Sequence, residues 1–283
     1  MFTAPPLRRR IIGGALRRYR ENLGYTLDDA ARILECDRSK VSRIETGQRG
    51  IRGKELRELL TEYGIDGQQQ AILGALADPR GARGRYGTYA DVLPETWQDY
   101  LVLEIAASRI LAYEAQRIPA LLQTPGYAQA LAAADPGLAD EESRDKAVEA
   151  TLARQRAILG ERQPDIRLIV GEAALRQEVG GEAVMEGQLR LLARVSGDSG
   201  IITLQVLPFR SGAHAAAAVG SLAILRFAEA LELGVVHLGG AGGGVCLEGQ
   251  EDLAAYARVF EELRVSALSP AQSALMLQEL TIA

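Results

Sequence analysis

The stretch TLDDAARILECDRSKVSRIETG, residues 26–47, decides the fold of the N-terminal part of the chain. It predicts two short helices joined by a tight turn, and the second helix opens with Arg38, Ser39 and Lys40. An α-helix fits the major groove of DNA, where an arginine can donate two parallel hydrogen bonds to guanine. The pattern favours a sequence-specific DNA-binding protein and leaves open what the rest of the chain does.

Residues with capping roles bound the two helices of this stretch. Thr26 is expected to begin the first helix, because its hydroxyl can accept a hydrogen bond from the backbone near Asp29. Asp37 precedes the second helix and is expected to cap it. Glycines that permit a left-handed cap end the neighbouring helices, at Gly24 and Gly47. Further helices are predicted over residues 7–23, 54–63 and 68–77.

Length and charge indicate two parts with different partners. A chain of 283 residues with an apolar fraction of 47% can form two domains with substantial cores. Residues 1–64 hold 14 Lys and Arg against 9 Asp and Glu, whereas the remainder holds 18 against 28. A basic N-terminal part (the head, residues 1–64) followed by an acidic remainder (the body) is typical of a protein whose N-terminal part binds a polyanion. The alternative is a chance excess of basic residues on a helix surface.

A segment rich in glycine and proline, DPRGARGRYG at residues 78–87, breaks the helical pattern and predicts a domain boundary. We expect a DNA-binding domain over residues 1–77, a linker over 78–94 and an α+β domain over 95–283. The α+β class follows from helices and strands in irregular order.

Alternating apolar residues give the clearest strand of the second domain, at residues 201–207, where Ile202, Leu204 and Val206 share one face. Other strands are predicted at residues 110–118, 166–170, 221–227 and 234–238. Helices are predicted at residues 94–107, 141–159, 172–177, 184–195, 251–267 and 270–280.

The sequence disfavours metal, cofactor and catalytic sites. Cys36 and Cys246 form no C-x-x-C pair, and with two isolated histidines they give neither a metal-ligand cluster nor a disulfide framework. The chain contains no G-x-S-x-G or H-E-x-x-H motif, and no histidine lies near a plausible nucleophile in the sequence. We therefore expect no cofactor, no metal and no enzyme activity.

Targeting and membrane segments are not expected either. Arg8, Arg9 and Arg10 are followed by no apolar core of signal-peptide length. The longest apolar stretch, residues 215–225, is too short to span a bilayer. A cytoplasmic location without membrane contact is expected.

Two features late in the chain have more than one interpretation. Residues 239–244 are rich in glycine, but they lack the Gly-Lys-Ser/Thr ending and the following helix of a phosphate loop, so a hairpin loop is expected. His237 is expected to be a core residue. His214 either lines an effector pocket with Phe209 and Arg210 or lies on a solvated surface loop.

The first 64 residues resemble the helix-turn-helix domain of the lambda/434-repressor type, also called the xenobiotic-response-element family. The match rests on Thr26, Ala31, the run SRIE at residues 42–45 and Gly47. The resemblance implies a five-helix lambda-repressor-like domain that binds double-stranded DNA. It also implies that three side chains of the second helix of the motif contact base edges: Arg38, Ser39 and Arg43.

The same resemblance implies further roles for residues of this domain. Arg20 pairs with Glu45 and orients one helix against another. Family members often carry a glutamine that touches a phosphate where this chain has Leu27, so one phosphate anchor is missing here. The phosphate contacts that the resemblance implies are Thr26, Lys40, Ser42, Thr46, Arg49 and Arg52.

The remainder resembles an uncharacterised effector-type domain that follows this helix-turn-helix in many actinobacterial transcription regulators. The similarity covers nearly all of residues 95–270. It rests on LVLEIAAS at Leu101, IPALLQTPGYAQAL at Ile118, ARQRAIL at Ala153, GEAALRQEVGG at Gly171, LQVLPFRSGAH at Leu204 and YARVFEELRVSALSP at Tyr256. Such regulators often accompany small partner proteins.

Three functions remain open at this point. The first is a transcription regulator that binds an operator as a homodimer, with a C-terminal domain that senses a small-molecule effector or supplies the dimer contact. The second is an interaction protein whose C-terminal domain docks a small partner protein, with DNA binding for autoregulation. The third, an enzyme with a DNA-binding head, is disfavoured because no catalytic constellation is visible.

Overall fold

Five α-helices form the N-terminal part of the chain in a computed structural model that describes residues 6–78, 86–197, 200–227, 234–240 and 243–282. Leucine, isoleucine and alanine side chains from these helices meet in a shared core. The helices match the predicted ones closely. They are α1 (Leu7–Asn22), α2 (Leu27–Ile33), α3 (Arg38–Glu45), α4 (Gly53–Glu62) and α5 (Gly67–Ala77).

A close backbone approach within this helical part brings α1 against the C-terminal end of α3 at the buried residue Gly13. A Cβ atom on Gly13 would lie 2.5 Å from the carbonyl oxygen of Glu45 and closer still to that of Ile44. Only a residue without a side chain permits this contact. Gly13 therefore helps to fix the orientation in which α1 holds α3.

The helix ends predicted at Gly24 and Gly47 are confirmed. Their φ angles are +71° and +73°, in the left-handed region that glycine adopts without strain. Each glycine lets the chain reverse immediately after a helix, and after α3 the reversal brings Gly47 against Arg10 of α1.

A mixed six-stranded sheet is the centre of the described C-terminal part, in the order β3-β2-β1-β4-β5-β6. The first three strands pair in parallel, and the last three add to the edge of β1 as an antiparallel meander. The strands are β1 (Arg109–Glu114), β2 (Asp165–Gly171), β3 (Ile202–Leu207), β4 (Leu222–Arg226), β5 (Gly234–Leu238) and β6 (Val245–Leu247). The predicted α+β class is confirmed.

Helices cover both faces of this sheet. Ile110 of β1 enters the large core shared with the N-terminal helices, while Leu111 and Tyr113 enter a second core on the opposite face with Phe260. The helices of this part are α6 (Glu95–Ala106), α7 (Pro125–Ala134), α8 (Glu141–Gln155), α9 (Glu172–Arg176), α10 (Glu182–Gly197), α11 (Gln250–Ser266) and α12 (Pro270–Ile282).

The structure differs from the sequence-based assignment in several elements. The strand predicted over residues 110–118 ends at Glu114, where its pairing with Val170 of the parallel neighbour β2 also ends. The helix predicted over residues 141–159 ends at Gln155 and continues as a π-helix, Arg156–Arg162. Helix α7 and strand β6 are additional.

The predicted linker is packed where it is described. Residues 79–85 lie outside the described residues, whereas residues 86–94 contain a short 3₁₀ helix, Gly87–Tyr89, and the fully buried Tyr86. Helix α6 follows directly and contacts both α1 and α5. In the described part of the chain, no helix is long and apolar enough to cross a membrane.

Two adjacent glycines of α1 give a matched test of the α1–α3 contact. Gly13→Ala is expected to lower the free energy of unfolding by roughly 1–3 kcal/mol, because its methyl group must displace the backbone of α3. Gly14 is exposed, and a Cβ atom added to it would meet nothing within 4 Å, so Gly14→Ala should raise stability by about 0.5–1 kcal/mol. Urea unfolding measures the free energy of unfolding of both variants. Equal changes in the two variants would contradict the close contact at Gly13.

Candidate nucleic-acid interface

A capping box begins α2, as the sequence predicts. Thr26 Oγ1 accepts a hydrogen bond from Asp29 N at 3.2 Å, and Asp29 Oδ2 accepts one from Thr26 N at 2.7 Å. At the start of α3 the predicted side-chain cap by Asp37 is wrong. Asp37 occupies the cap position, but Lys40 N donates to the backbone oxygen of Asp37 at 2.9 Å instead of to its carboxylate.

The three side chains assigned to base contacts share the exposed part of α3. Arg38, Ser39 and Arg43 are exposed, whereas Val41 and Ile44 of the same helix are buried in the core. Arg43 Nε donates to Ser39 O at 3.2 Å, which leaves its terminal nitrogens for a partner. Arg38 Nη1 lies 3.7 Å from Asp28 Oδ2, and both side chains are mostly exposed. This surface can present hydrogen-bond donors to a nucleic acid.

The residues assigned to phosphate contacts fall into two groups. Lys40 Nζ lies 2.6 Å from Glu55 Oε1, with both side chains 19% exposed, and this pairing lowers the pKa of Glu55. Thr46 Oγ1 donates to Ser42 O at 2.9 Å, and Thr26 is engaged in its cap. These groups already have partners within the domain, so a phosphate would compete with them.

The other assigned phosphate contacts lie in the loop after α3. Arg49 and Arg52 are both exposed there. Arg49 N donates to Arg43 O at 2.9 Å, which ties the loop to the end of α3. Two exposed positive side chains therefore lie in the loop that directly follows α3.

A buried ion pair holds α3 to α1, between the two residues that the resemblance pairs. Arg20 Nε lies 2.7 Å from Glu45 Oε1 and its Nη2 lies 2.9 Å from Oε2, while Nη1 donates to Tyr25 O at 2.7 Å. The hydrogen bonds to Glu45 raise the pKa of the Arg20 guanidinium. A bidentate pair has a fixed geometry, so it defines the rotation of α3 relative to α1.

Two arginines near the start of α1 contact the C-terminal part of the chain. Arg8 Nε lies 2.9 Å from Asp99 Oδ1 of α6. Arg10 Nε lies 2.7 Å from Oε1 of Glu248, the residue that follows β6. The helix that supports α3 is therefore ion-paired to two elements of the sheet domain.

The predicted effector residues lie on the connection after β3. Phe209 and Arg210 are exposed, and Phe209 N donates to Glu172 Oε2 at 2.8 Å. His214 is half-buried and makes an edge contact with Tyr113, with ring centroids 5.8 Å apart. None of the three lines the cavity between the sheet and α6, and their role in an effector pocket stays a prediction.

A cavity lies between one face of the sheet and α6, and sequence analysis did not identify it. Trp97 and Tyr100 of α6 stack with ring centroids 4.7 Å apart, and the ring of His237 on β5 lies 4.9 Å and 4.7 Å from them. Arg154 of α8 lies over both α6 rings and forms two hydrogen bonds with Glu104, at 2.6 and 2.7 Å.

The surroundings of this cluster shift the pKa values of Arg154 and His237. Burial acts to lower the pKa of Arg154, but the charge and hydrogen bonds of Glu104 outweigh it and raise that pKa. Burial lowers the pKa of His237 and keeps its ring neutral. The only sequence signal was the spacing of Trp97, Tyr100 and Glu104 on one side of a predicted helix, which is equally typical of core residues.

Comparisons with known proteins divide the chain in the same way as the fold. Residues 97–279, well over half of the chain, match the model of a family described as a domain of unknown function (DUF5753). Residues 11–73 match a helix-turn-helix domain, which confirms that prediction. Neither a curated protein nor a solved structure matches the chain significantly.

Removing one partner of the buried pair tests how α3 is held. Arg20→Met leaves the Glu45 carboxylate buried without its counter-ion, and we expect it to cost about 3–5 kcal/mol in the free energy of unfolding. The double variant Arg20→Met with Glu45→Leu should recover most of this loss, because neither charge is then buried.

The exposed pair between Arg17 and Glu21 on the same helix is the matched control. Its side chains are 59% and 50% exposed, so Arg17→Met should cost at most about 1 kcal/mol. Urea unfolding measures all three variants. A loss in Arg20→Met no larger than that in Arg17→Met would rule out a structural role for the buried pair.

Proposed function

Since the chain belongs to the family defined by this domain of unknown function and also carries a helix-turn-helix domain, we propose that it is a one-component transcription regulator. Its N-terminal helices bind a specific operator, and its C-terminal domain controls that binding. The observation that carries the proposal is the exposed set Arg38, Ser39 and Arg43 on a helix whose opposite side is buried.

Base recognition depends on how rigidly this helix is held. Contacts to base edges discriminate only when the donors keep a fixed position relative to the DNA backbone. The Gly13 contact and the Arg20–Glu45 pair fix α3 from one side, and we propose that the exposed Arg49 and Arg52 bind phosphates beside it. Specific binding follows from that combination of rigidity and positive charge.

Operator binding as a homodimer is part of this proposal. One helix-turn-helix contacts few base pairs, so proteins of this kind obtain specificity from two copies on half-sites one helical turn apart. The acidic sheet domain is not expected to hold DNA itself, because phosphates repel its net negative charge. Its contribution is the dimer contact and the control of the head through the ion pairs on α1.

The variant Arg43→Ala tests base recognition directly. We expect it to weaken binding to an operator selected from a randomised DNA pool by roughly 1–3 kcal/mol, with a much smaller effect on unrelated DNA. Arg190→Ala removes the same charge from an exposed position on α10 and serves as the control. Fluorescence anisotropy at one salt concentration measures both affinities. Equal losses of affinity for the operator and for unrelated DNA would mean that Arg43 contacts only the DNA backbone.

Footprinting on the DNA upstream of the protein's own gene tests the dimer. We expect two protected half-sites with centres about 10 base pairs apart and related by two-fold symmetry. Sedimentation of the protein–DNA complex should give two chains per operator. One chain on a single asymmetric site would contradict operator binding as a dimer while leaving the test of Arg43 intact.

A further inference from the structure

We propose that the cavity under α6 binds a small primary amine whose ammonium group neighbours a carbonyl oxygen, and that this ligand controls the helix-turn-helix through α1. The inference rests on the proposed function, since it supplies the effector class for the C-terminal domain. Three features support it: the shape of the sheet face, the charges of the lining and the ion pairs on α1.

Small side chains in one row of the sheet create the cavity. Ala112 of β1 pairs with Ala223 of β4, which pairs in turn with His237 of β5, so these residues lie side by side on one face. Two neighbouring alanines leave a hollow where larger residues would fill the space beneath α6. The space open to the centres of water molecules is about 40 Å³, enough for roughly three waters.

The charges of the lining favour a cation. The charged side chains around the cavity are Arg154, Glu104 and Glu114, so one carboxylate remains after Arg154 and Glu104 neutralise each other. Among the described residues, Glu114 pairs with Arg117 at 3.4 and 3.5 Å, and the Arg117 side chain is 50% exposed, so it can turn to water when a ligand ammonium binds Glu114.

The hydrogen-bonding groups of the cavity lining indicate which ligand group lies beside the ammonium. Arg154 donates to Glu104 through Nε and Nη2, and within the described residues Nη1 has no hydrogen-bond partner, so it can donate to a ligand oxygen. His237 Nε2 donates to Gly243 O at 2.9 Å, which leaves Nδ1 of the neutral ring as an acceptor. An ammonium bonded to Glu114, with His237 Nδ1 as a second acceptor, and a carbonyl or carboxylate oxygen bonded to Arg154 match this set.

The walls of the cavity are also the elements that contact the DNA-binding head. Trp97, Tyr100 and Glu104 line it from α6, and Asp99 of the same helix pairs with Arg8 of α1. On its other side, β5 pairs with β6, and Glu248 after β6 pairs with Arg10 of α1. A ligand larger than the cavity has to displace α6, and it thereby changes the contacts that hold α1.

The only tryptophan of the chain, Trp97, gives a direct test of binding. Titrations of the full-length protein with glycinamide, glycine and the hydroxyl analogue glycolamide are followed by the fluorescence of Trp97. We expect saturable changes with glycinamide or glycine at concentrations at least about tenfold below those needed for glycolamide, because only the first two carry the ammonium. The comparison of glycinamide with glycine distinguishes a simple amide from a free amino acid as the source of this group.

Three variants locate the binding. Glu114→Gln keeps the size of the side chain but removes its charge, so it should abolish the preference for the amines over glycolamide. Ala223→Leu fills the hollow and should abolish the fluorescence change altogether. Glu186→Gln on α10, where the side chain is 44% exposed, is the matched control and should behave as the original protein does. Equal responses to glycinamide and glycolamide, or an unchanged preference in Glu114→Gln, would overturn the proposal.

Control of the head is tested on the selected operator. A saturating amine should change operator affinity at least about fivefold, and the double variant Asp99→Asn with Glu248→Gln should lose this response while it still binds the amine. An unchanged operator affinity at saturation would overturn the coupling. The Trp97 titration needs no DNA, so it decides the amine site even if the protein fails to bind any operator.

Discussion

The contact between α1 and the end of α3 is the constraint on which the rest of the structure depends. Backbone meets backbone at Gly13, and further along α1 the Arg20–Glu45 pair fixes the rotation of the two helices. The first turn of the same α1 carries Arg8 and Arg10, which pair with the sheet domain. One helix thus positions the recognition helix and also receives the contacts of the acidic body.

Two buried Arg–Glu pairs have the same design and serve different halves of the molecule. In each, a guanidinium presents two nitrogens to one carboxylate, and at least one partner is almost fully buried. The cost of removing both charges from water offsets most of their attraction, so such pairs add little net stability. What they supply is orientation: Arg20–Glu45 orients α3, and Arg154–Glu104 fixes α8 against the α6 face that lines the cavity.

Periodicity and capping residues predicted most helices and strands because these depend on local sequence. Strand β6 was missed because three residues after a glycine-rich stretch give no alternating pattern, and its pairing with β5 is a tertiary effect. The side-chain cap expected from Asp37 failed because a backbone bond took its place. The cavity was beyond prediction from one sequence, since Trp97, Arg154 and His237 come from three separate elements and each is typical of a core when considered alone.

The basic charge of the head has two uses, and they compete. Arg8 and Arg10 contribute to the excess of positive charge in residues 1–64, yet both are paired with carboxylates of the body rather than presented to solvent. The charge available to DNA is therefore smaller than the sequence total, and part of it is carried by the exposed arginines of α3 and the loop after it. The Arg8 and Arg10 pairs are partly buried, so salt screens them less than it screens exposed phosphate contacts, and rising ionic strength loosens the protein from DNA before it loosens the head from the body. Under the proposed coupling, a ligand that alters the head–body contact would act on the same helix that carries α3, so no contact between ligand and DNA would be needed.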